Sequence, residues 1–364
     1  MSVQPSALEF SVSVSSTTAW RSRTLAILLM IAIAGIFWVD SRYPALIKRY
    51  HAGTQIKASG ELTFGTIYPV DRSSMPLVTR VYRTTVNWLD ANRIGMTFSF
   101  LFGPAALTYL ATLRRRRTTS RYLNALFGAA AGIPMAVCTN CVAPIARGFY
   151  ASGMSVESVL AAMFSSPALN VVVLAMTFTL FPASVALLKL ATVLLLIFVF
   201  APAVASRQRD PAPEIACPIE IVVSQTWTDA LLHTGRSFLK SFWYVFRVAF
   251  PLMILGAILG AVVIEALPAQ PLSLPVTFSG IILVALVAAF LPVPMAFDVA
   301  IAYIAMVKGV PLPYVVTILC TLGIISVFSL AVVGKTISWK IAGAAYATVV
   351  ALGTLAGILT RAVS

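Results

Sequence analysis

The fold this sequence predicts is an all-α, polytopic helical membrane protein. It is built from two inverted-topology halves, each with a broken re-entrant helix segment and spanning helices. Composition is the first reason: of 364 residues, 59% are hydrophobic and 10% charged, whereas an ordinary soluble domain carries about 25% charge. The apolar residues are gathered into runs close to the ~20 residues that a bilayer-spanning helix needs. Two of the apolar stretches are broken at mid-length by proline, which frees backbone groups that must then face protein or water.

Charge supports the same reading. The 26 Lys and Arg against 12 Asp and Glu give a net +14, which in a soluble chain would suggest nucleic acid. Here the basic residues bracket apolar runs, as in the cytoplasmic loops of helical membrane proteins, so no nucleic-acid partner is expected. Cys138, Cys141, Cys217 and Cys320 are too few for a disulfide scaffold.

The elements follow in order. Residues 1–23 form a Ser- and Thr-rich cytoplasmic tail, and 24–39 a first transmembrane helix. No small-x-small cleavage site follows that run, so it reads as an anchor and not a signal peptide. Residues 40–93 are mixed in polarity and read as an extracytoplasmic loop without a span. The first half covers 94–205. In it, 94–113 spans and stops at Arg114, Arg115, Arg116 and Arg117, which place that end in the cytoplasm. Residues 121–152 are interrupted by Pro134, the Cys138–Cys141 sequence and Pro144, and 156–181 and 183–205 read as two further spans.

A basic cytoplasmic connecting segment, 206–241, comes next, and within it 226–240 reads as an amphipathic surface helix. The second half is 242–364: 242–267 spans, 274–308 is broken at Pro292 and Pro294, and 313–333 and 337–359 span. Placing Gly153 on Gly309 brings the Pro134 region near Pro292, so one half's layout recurs in the other. The basic 206–241 segment lies inside only if 121–152 enters and returns on one face. The second half is then inverted, as in secondary transporters, whose sites lie where broken segments meet near the midplane.

Chemistry is expected at the first break. Two thiols three positions apart, Cys138 and Cys141, can approach one soft centre such as a trivalent arsenical, Cu(I) or a sulfur species. The plain alternative is a pair of small buried apolar residues. Thr139 and Asn140 add polar atoms there, while Ser165, Ser166, Pro167 and Asn170 make a second polar interruption. Asn170 serves either the solute path or interhelical hydrogen bonding.

Asp298 stands well inside the second broken segment, where a charge costs ~2.5–3.5 kcal/mol or more unless paired or hydrated. It reads as a proton-coupling residue paired with Arg147, or as a charge favouring a helix N-terminus. Lys189 reads as snorkelling to a membrane face, Glu157 and Glu265 as interfacial, and Cys320 as structural. No resident metal or cofactor is expected, and no G-x-x-x-x-G-K-[ST] phosphate loop occurs in the chain.

The stretch CTNCVAPIARGFYASGMSVESVLAAMFSSPALN, residues 138–170, resembles the ArsP-like permeases, predicted membrane permeases that include exporters of trivalent organoarsenicals. Cys138, Pro144, Gly153, Pro167 and Asn170 stand at matching positions. The family pair is usually C-x-C, and here Cys141 lies three before Pro144 instead of four. The resemblance implies a permease fold; in the reading of the residues above, Cys138 and Cys141 contact the solute, and Thr139, Asn140, Pro144, Ser166, Pro167 and Asn170 line its path.

Residues and resemblance together lead to an expectation. The chain is a secondary-type permease, not an enzyme, moving a small thiophilic solute such as a trivalent arsenical across a bacterial inner membrane. Its partners are the lipid bilayer and a small-molecule or metalloid solute, alone or as a homo-oligomer. The rival is a membrane thiol-disulfide oxidoreductase cycling Cys138 and Cys141, which would ordinarily need a second reactive pair.

Overall fold

The computed structural model describes residues 20–44, 47, 67–70, 74–112, 120–207, 226–266 and 275–363. Arg114–Arg117, Cys217, His51 and the tail before Trp20 lie outside the described residues. Among the described residues the chain is helical throughout, with a single isolated bridge between Leu322 and Ile325. Four helices are long and apolar enough to cross a membrane, and a fifth span arises if one bent pair is counted. The chain is therefore an all-α, multi-pass membrane protein.

Helix α1 (Trp20–Phe37) continues through a π turn at Trp38–Arg42. Only 11% of its apolar window is buried in the protein, so most of its side chains are left for lipid. Helix α2 (Leu77–Ala111) begins well before the apolar run that starts at Ile94. It runs antiparallel to the 40-residue helix α8 (Trp227–Ala266). At one end Thr84 donates to Glu265 at 2.8 Å and Arg80 approaches the same carboxylate at 3.7 Å; towards the other, Thr108 meets Ser241 at 3.4 Å. These pairs satisfy polar groups at the rims, which lets both helices extend past their apolar runs. The amphipathic 226–240 stretch is thus the start of α8 and not a separate surface helix.

Between them lie α3 (Arg121–Gly132), α4 (Thr139–Ala151), α5 (Val156–Ala168), α6 (Val171–Leu180) and α7 (Ala183–Leu195), the last carried on by a π turn to Arg207. After α8 come α9 (Phe278–Phe290), α10 (Phe297–Val307), α11 (Leu312–Thr321), α12 (Val327–Thr336) and α13 (Trp339–Val363). The order recurs: a long helix, two broken pairs, then a span. Small residues let the pieces approach. A methyl group on Gly128 would fall 2.1 Å from the Ser158 carbonyl oxygen, and one on Gly132 would fall 2.1 Å from Ser165 Oγ, so α3 lies directly on α5.

Four breaks matter for the site. Between α3 and α4 the chain turns at Ala136, and between α9 and α10 at Ala296, both non-glycine residues with positive φ, 47° and 64°. Such backbone is uncommon and concentrates where surrounding structure over-determines it. Helices α4 and α10 both end on a left-handed glycine, Gly153 and Gly309, with φ of 80° and 83°. The 156–181 stretch is not one helix: α5 and α6 are bent by 48° at Leu169–Asn170. The 313–333 stretch is likewise split, between α11 and α12, where Gly323 has φ 79° and Ser326 caps α12 reciprocally with Ser329.

Candidate functional site

The site is built where α4 begins. Pro134 sits in a short 3-10 turn, Ala136 reverses the chain, and Cys138 becomes the residue that caps α4, its sulfur accepting from the Cys141 amide at 3.3 Å. Both cysteines are free and buried, with their sulfurs 2.9 Å apart. Cys138 also points its thiol at Asn92 Oδ1 of α2, at 3.6 Å. Pro144 does not break this segment; it lies inside α4, in the second turn after the cap.

Asn140 and Thr139 carry the break across to the second half. Asn140 Nδ2 donates to the Val293 carbonyl at 3.3 Å, and its Oδ1 accepts from Ser326 Oγ at 2.7 Å. Thr139 Oγ1 donates to the Gly323 carbonyl. One short stretch thus touches the α9–α10 break and the α11–α12 break together. Trp88 of α2 adds a further tie, its indole N–H donating to the Pro292 carbonyl at 2.8 Å.

Ser166 and Asn170 hold their own break. The Val137 amide donates to Ser166 Oγ at 3.3 Å, joining α5 to the turn before Cys138. Asn170 is fully buried: its Oδ1 caps α6 by accepting from the Val173 amide at 3.0 Å, and its Nδ2 donates to the carbonyls of Ser166 and Pro167. Both ends of its side-chain amide bond within the bend after Pro167.

Asp298 does not pair with Arg147. Its Oδ2 lies 2.5 Å from Lys189 Nζ, an ion pair between the first turn of α10 and the middle of α7 whose members are only 5% and 3% exposed. Lys189 therefore does not snorkel; the packing of α7 against α11 turns it inward. Arg147 instead donates to Thr336 Oγ1 at 3.1 Å and stacks over the Tyr244 ring at 4.3 Å. The pair and the thiol break are joined through Gly323, whose carbonyl Thr139 grips and whose Cα hydrogen faces Asp298: a methyl group there would be 3.1 Å from Asp298 Cβ. Glu157 and Glu265 are buried with partners, Glu157 accepting from Asn124 at 2.8 Å.

Sequence reasoning passed over Arg42, Asn92 and Ser326. Arg42 and Asn92 fall in the stretch read as a loop, because only apolar residues were counted towards a span. Ser326 was hidden inside a run taken as one helix. Among the described residues no group of three or more His, Cys, Asp or Glu is arranged to hold a metal ion. A cavity of about 430 Å³ opens between α1 and α2, with Phe37, Asp40, Arg93 and Phe98 on its walls.

A helical bundle whose polar breaks converge at its centre is the build of a multi-pass membrane permease. Residues 105–362 match the ArsP_1 family, described as a predicted permease. The chain belongs to that family. It is also similar to the UPF0718 protein YraQ of Escherichia coli (strain K12), with 24% identity over 246 residues covering 67% of this chain and 70% of that protein. Comparison with solved structures returns no match.

Proposed function

We propose that this permease is a secondary-type transporter of the bacterial inner membrane that moves a small, thiophilic solute, such as a trivalent arsenical, past the Cys138–Cys141 pair. The observation that carries the reading is the bridge made by Asn140 between the first break and Val293 and Ser326 of the second half. Breaks that touch at the bundle centre supply the polar lining that a solute needs at membrane depth. In this reading Cys138 and Cys141 contact the solute, while Thr139, Asn140, Pro144, Ser166 and Pro167 shape its path. Asn170 holds the bend beside it.

The recurring element order and the matching left-handed residues, Ala136 with Ala296 and Gly153 with Gly309, support two halves of inverted topology. Alternating access then rocks one half against the other. Coupling is assigned to Asp298 with Lys189: a proton arriving at the carboxylate releases the ammonium and loosens the tie between α7 and α10. The thiol-disulfide rival needs a second reactive pair, and Cys320 sits apart from the first on α11.

The test is growth of a metalloid-sensitised bacterial host expressing the chain, or its Cys138→Ser and Asp298→Asn forms, on trivalent arsenicals. Protection by the natural chain, lost in both variants, is expected. No protection with the protein present in the membrane would sink the export of a thiophilic solute.

A further inference from the structure

We propose that Arg42 joins Cys138 and Cys141 in a binding site for a small anion that carries its charge on sulfur. The inference rests on the reading that the Cys138–Cys141 break lies on the solute path, and it gives that break a second class of ligand beside the thiophilic one.

Arg42 is the reason. It is 9% exposed, at the end of the π turn that continues α1. Its Nε is buried without a hydrogen-bond partner, and none of the ion pairs among the described residues includes it. The guanidinium rests over the Phe37 ring at 4.3 Å. An arginine stays charged at any physiological pH, and a charge taken out of water needs an opposite charge or hydration.

That charge faces the thiols. A methyl group on Gly95 of α2 would come within 2.8 Å of Cys141 Sγ and 3.7 Å of Arg42 Nη2, so sulfur and guanidinium flank one glycine. Cys138 caps α4, a 13-residue helix whose first amides carry the positive end of its dipole into the same break. Among the described residues, the other polar groups beside the thiols are neutral: Asn92, whose Nδ2 is committed to the Trp88 carbonyl, and Ser99, which donates to the Gly95 carbonyl. Asp40, on Arg42's own turn, lines the α1–α2 cavity and makes no ion pair with Arg42.

Each part selects for a feature of the ligand. The guanidinium offers a planar fork of N–H donors to an anion. The two thiols add only weak S–H donors, which cannot replace the strong hydration that an oxygen-charged anion such as sulfate gives up on burial; an anion whose charge sits on large, weakly hydrated sulfur loses less. Phe37, on which Arg42 rests, is also a wall of the 430 Å³ cavity between α1 and α2.

The experiment follows alkylation of Cys138 and Cys141 by N-ethylmaleimide in membranes containing the full chain, read by mass spectrometry. Sodium thiosulfate, sodium sulfate and arsenite serve as competitors. Thiosulfate is expected to protect where sulfate does not. Arg42→Gln should raise the half-protecting thiosulfate concentration by about tenfold or more, as loss of a buried charge partner does, and Arg42→Lys should restore part of the protection. Equal protection by thiosulfate and sulfate, no protection by either, or an unchanged concentration in Arg42→Gln would overturn the proposal. Arsenite reports on the broader reading separately. If arsenite protects and thiosulfate does not, the anion site falls while the thiophilic reading stands; a single size-exclusion peak for Arg42→Gln, like that of the natural chain, shows that variant to be folded.

Discussion

Lys189 Nζ of α7 lies 2.5 Å from Asp298 Oδ2 of α10, and this buried ion pair ties a span of the first half to the broken segment of the second. Removing one partner leaves the other charge buried without compensation, which costs ~3–5 kcal/mol. Replacing both by apolar residues of similar size leaves no charge to bury and is often neutral or stabilising.

Asp298→Leu and Lys189→Met are therefore each expected to lower the thermal unfolding midpoint in detergent, and the double variant to recover it. If the pair couples transport to a gradient, the recovered double variant stays inactive in gradient-driven transport. A double variant as active as the natural chain would leave the pair with a structural role alone.

The contact between the halves is open to a direct check. Asn140 Oδ1 is 2.7 Å from Ser326 Oγ, so in a Cys138→Ser, Cys141→Ser background the double variant Asn140→Cys, Ser326→Cys is expected to be linked by a short bifunctional methanethiosulfonate reagent, which spans more than a direct disulfide can. After proteolytic cleavage between residues 208 and 225, the two fragments should migrate together until reductant is added. Fragments that separate without reductant would contradict the bridge.

Gly132 has a packing role that predicts a sharp failure. A Cβ there would meet Ser165 Oγ at 2.1 Å and the Ala162 carbonyl oxygen at 2.6 Å, so Gly132→Leu is expected to force α3 off α5. The check is monodispersity on size-exclusion chromatography, which should be lost in Gly132→Leu and kept in Gly35→Leu, where a Cβ meets nothing within 4 Å.

Asn170 is expected to behave as the stitch of its bend. Asn170→Ala removes the α6 cap, a loss worth ~1 kcal/mol on average, and frees the carbonyls of Ser166 and Pro167. Stability should fall while the solute concentration at half-maximal transport stays close to that of the natural chain. A large change in that concentration with unchanged stability would place Asn170 in the solute path.

Much of this was legible in the sequence, for identifiable reasons. The breaks at Pro134 and Pro292 announced themselves because proline and polar residues interrupt apolar runs, and the thiol pair stood inside one of them. The α5–α6 bend was visible as Ser165–Asn170 but not its angle, since Asn170 can satisfy a bent backbone without any change in composition. Helix lengths were under-read because Arg80, Thr84 and Glu265 look polar one at a time, and only their contact makes long helices α2 and α8 tolerable at the rim. The partner of Asp298 was misassigned because Arg147 and Lys189 are equally basic in sequence. What separates them is that α7 turns Lys189 towards α10, while Tyr244 and Thr336 occupy Arg147.

The measurement that tests the central claim most directly is solute flux in proteoliposomes containing the purified chain, with an imposed proton gradient and a trivalent arsenical as cargo. Flux is expected for the natural chain, with loss in Cys138→Ser and in the stably folded Lys189→Met, Asp298→Leu double variant. Undiminished flux in the Cys138→Ser, Cys141→Ser double variant would contradict passage of the solute through the break at Cys138.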